Sequence, residues 1–80
     1  MISVNVKLYG TLPWRFQGYD PEKGLTVQLG QGARVLDLTE KLNIAPADTG
    51  VVAIDGRVAK PEERIRAGAT IRIFQVAHGG

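Results

Sequence analysis

Ile2, Val4, Val6 and Leu8 alternate with Ser3, Asn5 and Lys7. A period of two over that length predicts a strand with one buried face. A turn-rich stretch follows, marked by Gly10, Pro13, Gly18, Asp20, Pro21 and Gly24. Leu25, Val27 and Leu29 then alternate with Thr26 and Gln28, predicting a second strand that pairs antiparallel with the first across a long connection. Gly30 and Gly32 end it. From residue 35 to 42 the period changes: Val35, Leu38 and Leu42 fall at i, i+3 and i+7, one stripe of a helix. Asp37 and Glu40 near its start and Lys41 near its end suit the helix dipole. Arg34 is a poor N-cap, and Pro46 is expected to stop the pattern.

Residues 51–54 form an unbroken apolar run, which predicts a strand covered on both faces. Asp55-Gly56 is a strong two-residue hairpin signal, because both positions tolerate positive φ. Residues 57–59 are the short returning strand. Residues 61–68 read as a connection with one helical turn over 62–65. Residues 70–76 are the last strand, with Ile71 and Ile73 on one face and Arg72 and Phe74 on the other. Two hairpins therefore flank one helix in a chain too short for a second helical layer. A mixed sheet packed on one main helix satisfies this order, an α+β arrangement of the β-grasp, ubiquitin-like type. The expected organisation is a single domain over 1–80 with a flexible tail at about 77–80.

Composition narrows the chemistry. A domain of 80 residues buries only about 60–65% of the surface its unfolded chain exposes, which leaves little room for an internal ligand cavity. There is no Cys and one His, which excludes thiol nucleophiles, paired-cysteine redox chemistry and cysteine-bound zinc. No metal site and no bound cofactor are expected. The lack of Cys makes the cytoplasm the expected compartment. The first eight residues alternate instead of forming a signal peptide, and no apolar run approaches the roughly 20 residues that cross a bilayer. A net charge of +2 with interspersed signs does not point to nucleic acid or to a membrane surface.

The feature with most chemical content is Gly79-Gly80. Ten of 80 residues are Gly, so such a pair ends a chain by composition alone in roughly 1–2% of cases. A frayed tail is the plain reading. The functional reading is that Gly, lacking Cβ, lets the backbone pass a narrow channel and deliver a terminal carboxylate. Five extended residues reach roughly 17 Å, against an expected radius of gyration of about 12 Å, so the tail can enter a partner while the body stays outside. His78 is a candidate acid or base, but it has no acidic neighbour and reads first as a solvated tail residue whose bulk helps select the partner. Trp14, with Pro13, Phe16 and Tyr19, is either a partner-binding patch or a cover folded over the core edge. Phe74 beside Arg72 is a candidate docking element. Arg64, Arg66 and Arg72 read equally well as merely solvated charges. Asp37, Glu40, Glu62 and Glu63 offer no pair suited to acid–base catalysis, so the chain is not expected to be an enzyme.

Residues 51–80, with Val-Ala-Ile-Asp-Gly-Arg-Val, Ile-Arg-Ala-Gly-Ala-Thr-Ile-Arg-Ile-Phe and the final Gly-Gly, resemble the second half of the molybdopterin-synthase small subunit and of the thiamine-biosynthesis sulfur carrier. Residues 32–42 resemble that family's helix entry, and residues 6–12 its first strand and turn. The resemblance implies a monomeric sulfur carrier that binds no cofactor. A ubiquitin-activating-type adenylyltransferase uses ATP to adenylate the carboxylate of Gly80, and a persulfide donor converts it to a thiocarboxylate. The acceptor enzyme is then the molybdopterin-synthase large subunit or thiazole synthase. On this sequence Gly80 carries the sulfur, Gly79 gives access, and Phe74, Arg72, His78 and Trp14 are docking candidates. Two departures from the family pattern are Arg34 at the helix cap and Gln75-Val76-Ala77 in place of a Pro-containing segment. The long connection over residues 9–24 favours the molybdopterin type. The same tail would also serve a protein modifier conjugated through Gly80, and the fold alone would serve an interaction module with an idle tail.

Overall fold

The computed structural model describes residues 1–75. Strand β1 (Ile2–Leu8) and strand β2 (Leu25–Leu29) pair antiparallel, from Ile2 opposite Leu29 to Val6 opposite Leu25. Helix α1 spans Val35–Lys41. Strands β3 (Thr49–Ile54) and β4 (Arg57–Ala59) form a second hairpin, and β5 (Thr70–Gln75) runs between β1 and β3. The sheet order is β2-β1-β5-β3-β4. Only the β1–β5 pair is parallel, from Asn5 opposite Thr70 to Leu8 opposite Ile73. One helix on a five-stranded mixed sheet is the β-grasp fold that the hydrophobic pattern predicts.

The alternation in each strand sends one set of side chains to a common core. Val4, Val6, Leu8, Val27, Leu29, Val52, Ile54, Ile71 and Ile73 are buried together with Val35 and Leu38 of the helix. Leu38 is wholly enclosed, whereas Leu42 is half-buried and packs at the margin. The Asp55-Gly56 turn has both residues at positive φ, 49° and 84°, as a tight hairpin of matching twist requires.

A helix of seven residues is too short to persist alone, so its ends and its buried face must hold it. The Asp37 carboxylate accepts a hydrogen bond from the Arg34 backbone N–H at 2.8 Å, but a guanidinium only donates and cannot return it. The free N–H groups of the first turn are met from elsewhere in the chain. Those of Val35 and Leu36 donate to the carbonyls of Glu63 and Pro61, each at 2.9 Å, and the Ile65 N–H donates to the Ala33 carbonyl at 2.8 Å. The long segment before β5 is thus the helix cap.

Four local expectations are corrected. The helix ends at Asn43 in the left-handed region (φ 57°) rather than at Pro46. The Asn43 N–H donates to the Glu40 carbonyl and the Ile44 N–H to that of Thr39, a Schellman motif that tucks buried Ile44 under the helix. Pro46 instead opens a 3-10 turn over Pro46–Asp48. Residues 62–65 form no helical turn, because the Glu63 carbonyl and the Ile65 N–H are bonded to the helix start and Arg64 bridges Arg34. Residues 51–54 are not covered on both faces, since Val51 is 47% exposed: a single helix can cover only one side of the sheet. The first connection is also more ordered than its turn residues suggest, with a 3-10 turn over Leu12–Arg15 that buries Leu12.

Candidate docking face and tail exit

The parallel β1–β5 pairing brings three chain segments to the end of the sheet where β5 stops. β1 ends there and leads into the Leu12–Arg15 turn, and β3 begins there, fed by the Pro46–Asp48 turn. Arg15 joins the two turns through an ion pair with Asp48 at 2.9 Å. Both side chains are partly exposed, so the pair contributes little to stability, but it marks the two turns as neighbours. Gln75, the last residue of β5, stands between them. Its Oε1 accepts hydrogen bonds from the Thr11 N–H at 2.7 Å and the Thr11 hydroxyl at 2.8 Å, and its backbone pairs with Thr49.

The outer face of the sheet carries the side chains that the core does not use. Lys7 lies opposite Arg72, and Arg72 opposite Ala53, which in turn lies opposite Val58. One residue pair nearer the exit, Tyr9 stacks on Phe74 with ring centroids 4.6 Å apart and planes 13° from parallel. The Arg72 Nε donates to the Tyr9 hydroxyl at 3.3 Å. Val51, Val58, Phe74 and Tyr9 are all exposed. The result is an apolar, aromatic face with two cations, open to solvent beside Gln75. Such a patch on a small domain is a candidate interaction surface.

Of the residues singled out from sequence, Phe74 and Arg72 stand together on this face. Trp14 sits on the 3-10 turn at the same end and is 83% exposed. The cluster around it divides: Phe16 and Tyr19 pack on the core, and the Tyr19 hydroxyl accepts a hydrogen bond from the Leu8 N–H at 2.8 Å. His78, Gly79 and Gly80 lie outside the described residues. Tyr9 was missed by sequence reasoning. The signal was present: it continues the outward series Asn5, Lys7, Tyr9, and a parallel β1–β5 pair sets that series beside Arg72 and Phe74.

The opposite end of the sheet has a different character. The Asp55 carboxylate accepts from the Thr70 N–H at 3.0 Å and from Arg66 at 3.1 Å, and both bonds hold its pKa below the usual carboxylate value. Glu63 accepts from Arg57, which lowers the Glu63 pKa and raises that of Arg57. These are solvated ion pairs that brace the β3–β4 turn against the segment capping the helix. Among the described residues, no group of three or more His, Cys, Asp or Glu is placed to hold a metal, and no helix is long and apolar enough to cross a membrane.

One helix packed on a five-stranded mixed sheet is the β-grasp architecture of the ubiquitin-like proteins. The family model of the ThiS family matches residues 16–80, and the chain belongs to that family of ubiquitin-like sulfur carriers. Its members are generally non-catalytic and work with an adenylyltransferase and a sulfur-acceptor enzyme. The fold is similar to that of a Pyrococcus furiosus protein provisionally described as molybdopterin converting factor subunit 1. The TM-score is 0.75 at 21% identity, over 96% of this chain and 100% of that one. It is also similar to small archaeal modifier protein 1 of Haloferax volcanii in two structures. One gives a TM-score of 0.74 at 19% identity, covering 92% and 97% of the two chains. The other gives 0.68 at 22%, covering 98% and 99%. At these identities the likeness shows the fold. Among curated proteins none matches the sequence.

Proposed function

We propose that the chain is a sulfur carrier whose working group is the carboxylate of Gly80. The observation that carries this reading is that the family match runs through residue 80 and so includes the diglycine. A partner adenylyltransferase transfers AMP from ATP to the carboxylate and releases pyrophosphate. The terminal sulfur of a protein persulfide then attacks the acyl carbon and displaces AMP. A second thiol cleaves the resulting acyl disulfide, leaving a thiocarboxylate on Gly80 and a disulfide on the donor side. Delivery to the acceptor ends with hydrolysis back to the carboxylate. Every bond-making group except the carboxylate belongs to a partner, so the body's task is recognition. The outer face with Tyr9, Phe74 and Arg72, and Trp14 on the neighbouring turn, are the proposed contacts, with Gly79 giving access to the channel. The acceptor chemistry is a pterin precursor or the thiazole of thiamine, the long first connection favouring the pterin.

A second reading is conjugation through Gly80 to lysine side chains of other proteins, favoured by the likeness to the Haloferax modifier. One reconstitution tests both. The chain is mixed with ATP, a persulfide donor and candidate activating enzymes, and its intact mass is measured. Replacement of one oxygen by sulfur on Gly80 is the expected result. A chain extended by one residue beyond Gly80 should take up no sulfur, because the reactive carboxylate has become an amide, and Gly79→Ala should be impaired. An extended chain that accepts and delivers sulfur untrimmed refutes the carrier reading. Isopeptide adducts without thiocarboxylate would establish the modifier instead.

A further inference from the structure

We infer that Gln75 and Thr11 form a positioning clamp that fixes where the tail leaves the body, and thereby the reach of Gly80 into the adenylating site. The inference rests on the carrier reading and adds to it two residues outside the docking face. Gln75 is the last residue of β5, and its Oε1 takes two hydrogen bonds from a residue 64 positions away in sequence. The backbone around the clamp is shaped to admit it. Gly10 has φ +73°, and a Cβ there would lie 2.6 Å from the Gln75 Oε1. On the other side of β5 a Cβ on Gly50 would lie 2.8 Å from the Phe74 carbonyl oxygen. The register between β3 and β5 shifts between Thr49 and Val52, yet Thr49 still pairs with Gln75. β5 is thus held on both edges up to its final residue.

The core does not need this arrangement. Leu8, Leu12 and Ile73 are already enclosed, while Thr11 is exposed and Gln75 half-exposed, and exposed polar contacts contribute little to stability. Their effect falls on the chain that follows. The carboxylate of Gly80, five residues beyond Gln75, would reach its target with an efficiency set by where Gln75 is held, and reaction demands near-attack geometry that small misplacements spoil. Releasing Gln75 removes that fixed starting point without touching the docking face.

The chemistry of the clamp supplies a specific test, because Thr11 only donates and the Gln75 oxygen only accepts. ATP–pyrophosphate exchange is measured with the full-length chain and the adenylyltransferase encoded in the same genome. Gln75→Met keeps the side chain's length but removes the acceptor, and should lower kcat by about three- to tenfold with KM for the carrier within about twofold of wild type. Thr11→Val removes one of the two bonds and should show a smaller loss in the same parameter. Gln75→Glu presents a carboxylate oxygen to the same two donors and should restore kcat, as should Thr11→Ser. Melting curves accompany each variant. A kcat for folded Gln75→Met equal to wild type, a Gln75→Glu as impaired as Gln75→Met, or a loss confined to KM each overturns the clamp. A wild-type chain that supports no exchange overturns the carrier reading itself, a result separable from all of these.

Discussion

Truncation of Phe74 separates recognition from folding. Phe74 lies on the outer face, 37% exposed, with its ring stacked on Tyr9, and it fills no part of the core. Phe74→Ala therefore removes one aromatic stack, about 0.5–1.5 kcal/mol, and a half-buried apolar surface of comparable value. For a domain with total stability of about 5 kcal/mol or more, the variant remains folded at room temperature. At about 4–8 °C per kcal/mol for a chain this small, that combined loss of about 1–3 kcal/mol lowers its Tm by roughly 4–24 °C. A central aromatic in an interface costs about 2 kcal/mol or more on truncation, which is a loss of affinity of roughly 30-fold. Titration calorimetry of wild type and Phe74→Ala against the adenylyltransferase, well below both melting temperatures, gives the ratio directly. Tyr9→Phe provides a graded control, because it keeps the stack and removes only the hydroxyl that accepts from Arg72. It should cost far less affinity than Phe74→Ala. Affinity of Phe74→Ala within about twofold of wild type, with the fold intact, would refute the docking role of this face and move attention to Trp14.

Leu38→Ala empties a fully enclosed position under the sheet and should cost about 2–5 kcal/mol; a thermal melt near wild type would contradict the packing of α1. Asn43→Gly should raise the Tm slightly and Asn43→Val should lower stability by about 1–2 kcal/mol, since only the first substitution suits φ 57°. Asp55 and Glu63 have folded-state pKa values below their ordinary 3.8 and 4.5. Their contribution is full above those ordinary values and is lost as pH falls through the lowered ones. The Tm should therefore drop on acidification below about pH 4, and Asp55→Asn should flatten that part of the curve. A slope unchanged in Asp55→Asn would show that other carboxylates set it.

The strands were legible because a half-buried strand writes its geometry into a period of two, and the Asp55-Gly56 turn because few residue pairs accept two positive φ angles. The exposure of Val51 was not, because an apolar run looks alike whether its second face meets a helix or a partner protein. Residues 62–65 read as a helical turn by composition, yet the Glu63 carbonyl, like that of Pro61, is spent on an N–H group of α1, a long-range demand that no local pattern records. The same limit applies to Asn43, whose turn is decided by Ile44 reaching the core and not by the Pro two residues beyond. Phe74 and Arg72 were visible as outward residues of the last strand. Tyr9 required the further step of pairing β1 with β5 in parallel.

That pairing also explains why one strand serves three purposes. β5 lies third of five in the sheet, paired with β1 from Thr70 to Ile73 and with β3 from Ile71 to Gln75, with a register shift between Thr49 and Val52. Its inward residues, Ile71 and Ile73, are wholly enclosed, its outward residues Arg72 and Phe74 form the middle of the proposed docking face, and Gln75 at its end precedes Gly80 by five residues. Central strands are the last elements to open in local fluctuations. A partner that grips the outer face and draws on residues beyond Gln75 therefore pulls against the most firmly held element of the fold. Edge strands such as β2 or β4 would fray under the same load, and each fraying residue would shift the carboxylate by about 3.4 Å. On the proposed carrier reading, recognition and delivery would stay in register because Arg72 and Phe74, which a partner would grip, and Gln75, five residues before Gly80, are neighbours on one central strand.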